Sequence, residues 1–186
     1  ELQAAEVRKS CRTRMTMDVV REFEHIPFWI PWSFDYRGRA YPIPNLLTPQ
    51  DTDFGKSLLL FTEGAKITKK GMEWIKFQLA TTYGLDKATM QERLEWVEKA
   101  ENRELVHRVW SDPTGNIADW ENADEPWLFL AACVEWYELH YEHKFHTHLP
   151  IAVDATCSGL QILAGLAKDA STARMVNVIG LSLIHI

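Results

Sequence analysis

Five prolines, at positions 27, 31, 42, 44 and 49, fall within residues 26–50 and forbid a helix there. Proline has no N–H to donate, and its ring collides with the preceding turn. This stretch must therefore be extended or looped, and Gly38 interrupts its middle. The flanking patterns are helical. Residues 2–24 read as a helix of mixed charge. Thr68 to Thr82 reads as a second, with Thr68 as cap, an apolar face of Trp74, Ile75, Leu79 and Ala80, and Gly84 as stop. Residues 88–110 predict an amphipathic helix through Met90, Leu94, Val97, Leu105 and Val109, and Asp112 to Asn116 a turn. Glu125 to Tyr141 is apolar on most faces and should be buried. The apolar run Leu149 to Val153 predicts a strand, and a helix follows from Ser158 to Asp169. The class is α+β, mostly helical with a small antiparallel sheet.

The 186 residues suffice for one domain with a real core, and 46% apolar with 25% charged residues is ordinary for a globular chain. No apolar run approaches the ~20 residues that span a bilayer, so no membrane role is expected. The first residues lack a signal-peptide pattern and an initiator Met, so the chain is expected to begin inside a longer protein. Cys11, Cys133 and Cys157 are odd in number, far apart and without a C-x-x-C, which favours free thiols in a reducing setting. Cys133 lies in an apolar helical pattern and should be core. The net charge of −6 argues against a protein that coats nucleic acid everywhere. The charge is uneven, however. Residues 1–41 hold seven Lys/Arg against six Asp/Glu, and Arg8, Lys9, Arg12, Arg14, Arg37 and Arg39 cluster. Such a basic path suits a nucleic-acid channel, and equally a set of solvated helix faces.

Three groups of residues carry possible chemistry. Asp154 follows the apolar run and precedes a turn of small residues and a helix. A carboxylate at a strand end can hold a divalent cation with help from the next carbonyl, or it can simply cap the helix. In Phe34 to Tyr41, Arg37 and Arg39 flank Gly38, with Asp35 two residues earlier and aromatic residues around them. Arginine forks fit phosphate oxygens, the carboxylate can hold a guanidinium in place, and aromatic rings pack on sugars or bases. A surface turn with local ion pairs has the same composition. Lys56, Lys66, Lys69 and Lys70 read as solvated, whereas Lys87 follows Gly84-Leu85-Asp86 at a helix junction and could reach into a cleft. His140, His143, His146 and His148 run off a helix end without Cys or an H-E-x-x-H pattern, which fits histidine at a helix terminus better than zinc. No Walker loop or dinucleotide fingerprint occurs.

Asp35-Tyr36-Arg37-Gly38-Arg39 resembles the D-x-x-G-R element of the phage-type single-subunit DNA-directed RNA polymerases. Asp154-Ala155-Thr156-Cys157-Ser158-Gly159-Leu160-Gln161 resembles motif A of the same family. Their order and their separation of about 120 residues fit as well, as do Pro49-Gln50 before Lys56, the Gly84 to Lys87 segment, and Arg174 with Asn177. The resemblance covers about residues 8–180.

It implies that residues 1–25 end a thumb and 26–180 form a palm, with a helical insertion at about 65–144. Residues 181–186 do not match the family's continuation. Asp154 would be one of two catalytic carboxylates for Mg²⁺, with the Ala155 carbonyl as a further ligand. Arg37 and Arg39 would contact the nucleic-acid backbone with Asp35 orienting them beside Gly38. Lys56 would contact template, and Lys87 would approach the triphosphate. The implied reaction is attack of an RNA 3′-hydroxyl on the α-phosphate of a ribonucleotide, assisted by two metals. Gly159, five residues after the metal Asp, stands where related DNA polymerases place a Glu that blocks the ribose 2′-hydroxyl. That favours ribonucleotides over a DNA polymerase reading.

Family members often have Gly and His where this chain has Ala155 and Ile162. A backbone carbonyl makes the first change mild. The second catalytic Asp, in an H-D-S element, and the fingers helix lie downstream in the family, so the chain alone is expected not to polymerise and to expose apolar surface. Implied partners are DNA template, nascent RNA and ribonucleoside triphosphates, in a monomeric parent. The implied location is the cytoplasm of an infected bacterial host, with an organellar homologue as the alternative. A nucleic-acid-binding or structural domain without catalysis remains the contrasting reading.

Overall fold

The computed structural model describes residues 2–153, 157–176 and 178–179, with side chains from residue 7 onward. The chain divides into two compact units, residues 1–151 and residues 152–186.

The first unit begins with α1 (Leu2–Phe23) and then the proline-rich stretch. That stretch folds into a hairpin of β1 (Trp32–Phe34) and β2 (Ala40–Pro42), antiparallel, with Ser33 opposite Tyr41. Proline is compatible here because the pair is short and, among the described residues, only two strands wide. A loop leads to the short helix α2 (Asp53–Ser57), whose N-cap Thr52 accepts the Gly55 N–H. A second two-stranded pair, β3 (Ala65–Lys66) with β4 (His146–Thr147), spans the helical body that lies between them in sequence.

That body is built from α3 (Lys69–Tyr83), α4 (Met90–Glu98), α5 (Ala100–Ser111) and α6 (Pro126–Tyr141). Thr68 caps α3 by accepting the Gly71 N–H at 3.1 Å. Gly84 ends it at φ 140°, a conformation that L side chains rarely adopt. Thr89 and Glu92 form a reciprocal capping box on α4, with Thr89 N donating to Glu92 at 2.7 Å and Glu92 N to the Thr89 hydroxyl at 3.3 Å. The apolar helix α6 lies at the centre. Phe129, Ala132, Cys133 and Trp136 on it are fully buried against Ile75, Leu79 and Ala80 of α3, Val97 of α4, and Val106 and Val109 of α5. Each large side chain so buried contributes roughly 2–3 kcal/mol. Cys133 is thus core, and burial alone pushes its thiol pKa well above the ordinary value.

Two sequence expectations change. The helix expected over 88–110 is two helices, because Lys99 is extended at φ −64°, ψ 137°. The break lets Val97 and the Leu105, Val106, Val109 face both reach the core. Glu98 at the break pairs with Lys76 of α3 and Arg103 of α5. The strand expected over 149–153 is not formed. No neighbouring strand supplies a ladder among the described residues, and Pro150 lacks an N–H to join one.

The second unit pairs α7 (Ser158–Ala167) with α8 (Ala170–Met175) through Ala164, Ala173 and Val176. Asp169 caps α8, and the Gln161 side chain donates to the Val176 carbonyl at 2.7 Å. Leu160, Ile162, Leu163 and Leu166 of α7 are exposed.

Candidate nucleic-acid interface

The turn of the first hairpin is held by one side chain. Asp35 N donates to Arg39 O at 3.0 Å, and Gly38 N donates to Asp35 O at 3.0 Å. The Asp35 carboxylate accepts the backbone N–H of Arg37 at 2.8 Å and of Arg39 at 3.0 Å through the same oxygen. Its other oxygen takes Arg37 Nε at 3.4 Å. Asp35 therefore orders the backbone of both arginines, and touches the guanidinium of Arg37 only. Gly38 sits at φ 75°, and an added Cβ would meet nothing within 4 Å. Its backbone conformation, not lack of space, demands glycine.

This tight loop projects its side chains outward. Tyr36 is 94% exposed and Phe34, at the end of β1, 76%, while the Arg37 guanidinium lies over the Tyr36 ring at 5.4 Å. Two unburied arginines beside exposed rings can bind phosphates and stack on bases at once.

The loop behind the hairpin is anchored by Asp51, which the sequence did not mark, and by Arg12 of the basic cluster, whose guanidinium is engaged here in an internal ion pair. Asp51 has a fully buried side chain that takes Arg12 of α1 at 2.5 Å, Leu47 N at 2.9 Å and Thr52 N at 2.7 Å. Burial raises its pKa, but the bond from Arg12, the two backbone donors and the guanidinium charge outweigh that and hold the carboxyl below its ordinary value. Gly55 packs so closely on this carboxylate that any Cβ would overlap it. Arg12 also donates to Asn45 O at 2.8 Å, and Gln50 reaches Ala40 O of β2 at 3.4 Å.

Lys56 lies on α2, and its ammonium pairs with Glu125 at 3.3 Å, both side chains about one-third exposed. Glu125 N in turn donates to Thr82 O at 3.0 Å, and Asp124 N to Tyr83 O at 3.4 Å, beside the Gly84 that opens the loop bearing Lys87. Lys56 and the Lys87 loop thus leave from one corner of the helical body. Lys87 itself is exposed. Its loop is fastened by the buried Arg93, which donates to Asp86 O at 2.5 Å and Thr81 Oγ1 at 3.0 Å and stacks on the Phe77 ring at 4.4 Å.

Gly159 is the second residue of α7 in the other unit, and a Cβ there would also meet nothing within 4 Å. Asp154 and Ala155 lie outside the described residues, as does Asn177. The N-cap position of α7 is Cys157, at φ 56° and without a side-chain cap bond. The histidines part company: His140 stacks on Trp136 at 4.9 Å, and His148 Nδ1 faces Phe61 O at 2.7 Å. No group of three metal-binding side chains is found among the described residues, and none of their helices is long and apolar enough to cross a membrane.

The family model for DNA-dependent RNA polymerase matches residues 65–182. The chain is 37% identical over 172 residues to the mitochondrial DNA-directed RNA polymerase of Neurospora crassa, covering 91% of this chain and 12% of that protein. It is 32% identical over 186 residues to T7 RNA polymerase of Escherichia phage T7, covering 95% of this chain and 21% of that enzyme. A chloroplastic enzyme of Nicotiana tabacum is 34% identical over 178 residues, 91% of this chain and 18% of the relative. The chain thus spans between 12 and 21% of the length of these relatives, and their sources are phage, mitochondrion and chloroplast alike. By both the family match and the identity over nearly its whole length, the chain belongs to the phage-type family of DNA-directed RNA polymerases.

Proposed function

We propose that this chain supplies part of the nucleic-acid grip and one metal carboxylate for template-directed RNA synthesis. The observation that carries this reading is the hairpin turn, in which Asp35 orders the backbone of Arg37 and Arg39 and touches Arg37 only through Nε, so that both arginines stay exposed on an aromatic-rich tip. Arg37 and Arg39 bind phosphates of template or hybrid, Tyr36 and Phe34 offer faces for bases or sugars, and Lys56 adds a charge from α2. Lys87 approaches the triphosphate of the incoming ribonucleotide from its clamped loop. Gly159 leaves room for the ribose 2′-hydroxyl.

Asp154 and the Ala155 carbonyl are hard oxygen donors, the type Mg²⁺ prefers. Bound there, Mg²⁺ would offset the negative charge of the reacting phosphates. DNA template, growing RNA and ribonucleoside triphosphates are the partners this reading requires, and residues 1–25 and 26–180 are assigned to thumb and palm.

The test is binding of a fluorescein-labelled RNA–DNA hybrid by fluorescence anisotropy over a salt series. Arg37→Ala and Arg39→Ala should each weaken binding without regard to sequence and lower the salt slope by about one. Unchanged affinity in both variants would remove the interface assignment.

A further inference from the structure

The helix α6 has no N-terminal cap of its own. Its N-cap residue, Glu125, makes no side-chain cap bond, and Pro126 occupies its first position. The next two N–H groups are instead taken by a residue more than seventy positions earlier: Asp53 of α2 accepts Trp127 N at 2.7 Å and Leu128 N at 3.0 Å, one with each oxygen. A carboxylate is well placed there, since it meets free N–H groups and the positive end of the helix dipole. Phe54 packs edge-on against Trp127 at 5.1 Å, and Lys56 closes the same contact by pairing with Glu125. A five-residue helix has little stability alone. Its placement therefore comes from this clasp, and the clasp centres on Asp53.

We infer that Asp53 is a positioning residue for nucleic-acid binding: it fastens α2 to the head of α6 and so sets the point from which Lys56 presents its ammonium to a phosphate. This rests on the assignment of Lys56 to the interface made above.

The inference predicts an effect opposite in sign to simple electrostatics. Removing a carboxylate one helical turn from a DNA-binding lysine ordinarily strengthens binding, because a repulsive charge is lost. If Asp53 positions Lys56, Asp53→Ala instead weakens it. In the 186-residue chain, binding of the labelled RNA–DNA hybrid is measured for Lys56→Ala, Asp53→Ala and the double variant, alongside their thermal midpoints. Asp53→Ala should reproduce the affinity loss of Lys56→Ala and its fall of about one in salt slope, and should add nothing in the double variant. Asp53→Asn, which keeps an oxygen able to accept one N–H, should restore part of the loss. Val109→Ala, in the core of the helical body, controls for lowered stability and should leave affinity at the wild-type level once both chains are folded at the assay temperature. Binding by Asp53→Ala that is unchanged or tighter overturns the inference, as do losses that multiply in the double variant or a Val109→Ala loss of equal size. Lys56→Ala without effect overturns the assignment of Lys56 itself, a result distinct from a Lys56 effect that Asp53→Ala fails to share.

Discussion

Single carboxylates do most of the positioning in the first unit. Asp35 shapes a turn, Asp53 caps a distant helix, and Asp51 ties α1 to the loop before α2. Asp51 is the most deeply placed of these, with its side chain wholly out of solvent and three donors converging on it. Asp51→Ala leaves those donors unpaired and should cost about 2–3 kcal/mol, measured by urea unfolding. The pH dependence has a definite sign. Because the folded carboxyl sits below its ordinary 3.8, its stabilisation is complete above that value and is lost as pH falls through the folded value. The stability gap between wild type and Asp51→Ala should therefore hold from neutral pH down to that point and narrow in stronger acid. A gap that is constant through the acid limb would contradict the role given to this carboxylate. Little in the sequence marked Asp51: an Asp among Thr, Pro and Gln in a loop reads as a solvated turn residue, and its burial depends on Arg12, 39 positions away. Asp35 was legible because its partners are two and four residues away, within reach of local reasoning.

At the scale of elements, the same division between local and distant causes holds. The ends of α3 followed from Thr68 and Gly84, and α6 was legible from its unbroken apolar character, since both signals lie within the segment. The split between α4 and α5 was not, because periodicity alone carries the pattern through Lys99, and the break serves contacts with α3 and α6. The expected strand at 149–153 failed for a related reason: a strand needs a neighbour, and none stands beside it among the described residues. Helix α7 offers a test at this scale. Gly159 has neither a constrained backbone conformation nor a crowding neighbour to justify the absence of a side chain, and glycine within a helix costs up to about 1 kcal/mol. Gly159→Glu should therefore leave the thermal midpoint unchanged or slightly raised, while a polymerase carrying it loses ribonucleotide use relative to deoxyribonucleotide use in extension assays. Loss of folding, or unchanged sugar preference, would remove Gly159 from the substrate site.

For the molecule as a whole, family membership is secured by similarity along nearly the entire chain, and the two units carry complementary parts of the proposed machinery. The first holds the arginine hairpin, Lys56 and the Lys87 loop; the second holds Gly159 in α7 just after Asp154 in sequence. Short signatures made this legible. A D-x-x-G-R turn and a carboxylate followed by small residues survive as local patterns, whereas the clasp between α2 and α6 is a product of tertiary packing and had no pattern to read. The most direct measurement is Mg²⁺-dependent extension of an RNA primer on a DNA template by a full-length polymerase carrying this sequence, comparing Asp154 with Asp154→Asn. Loss of a metal carboxylate should lower the extension rate by several orders of magnitude while hybrid affinity stays within about threefold, since the grip lies elsewhere. Extension by Asp154→Asn at the wild-type rate would contradict the assignment of Asp154 to RNA synthesis.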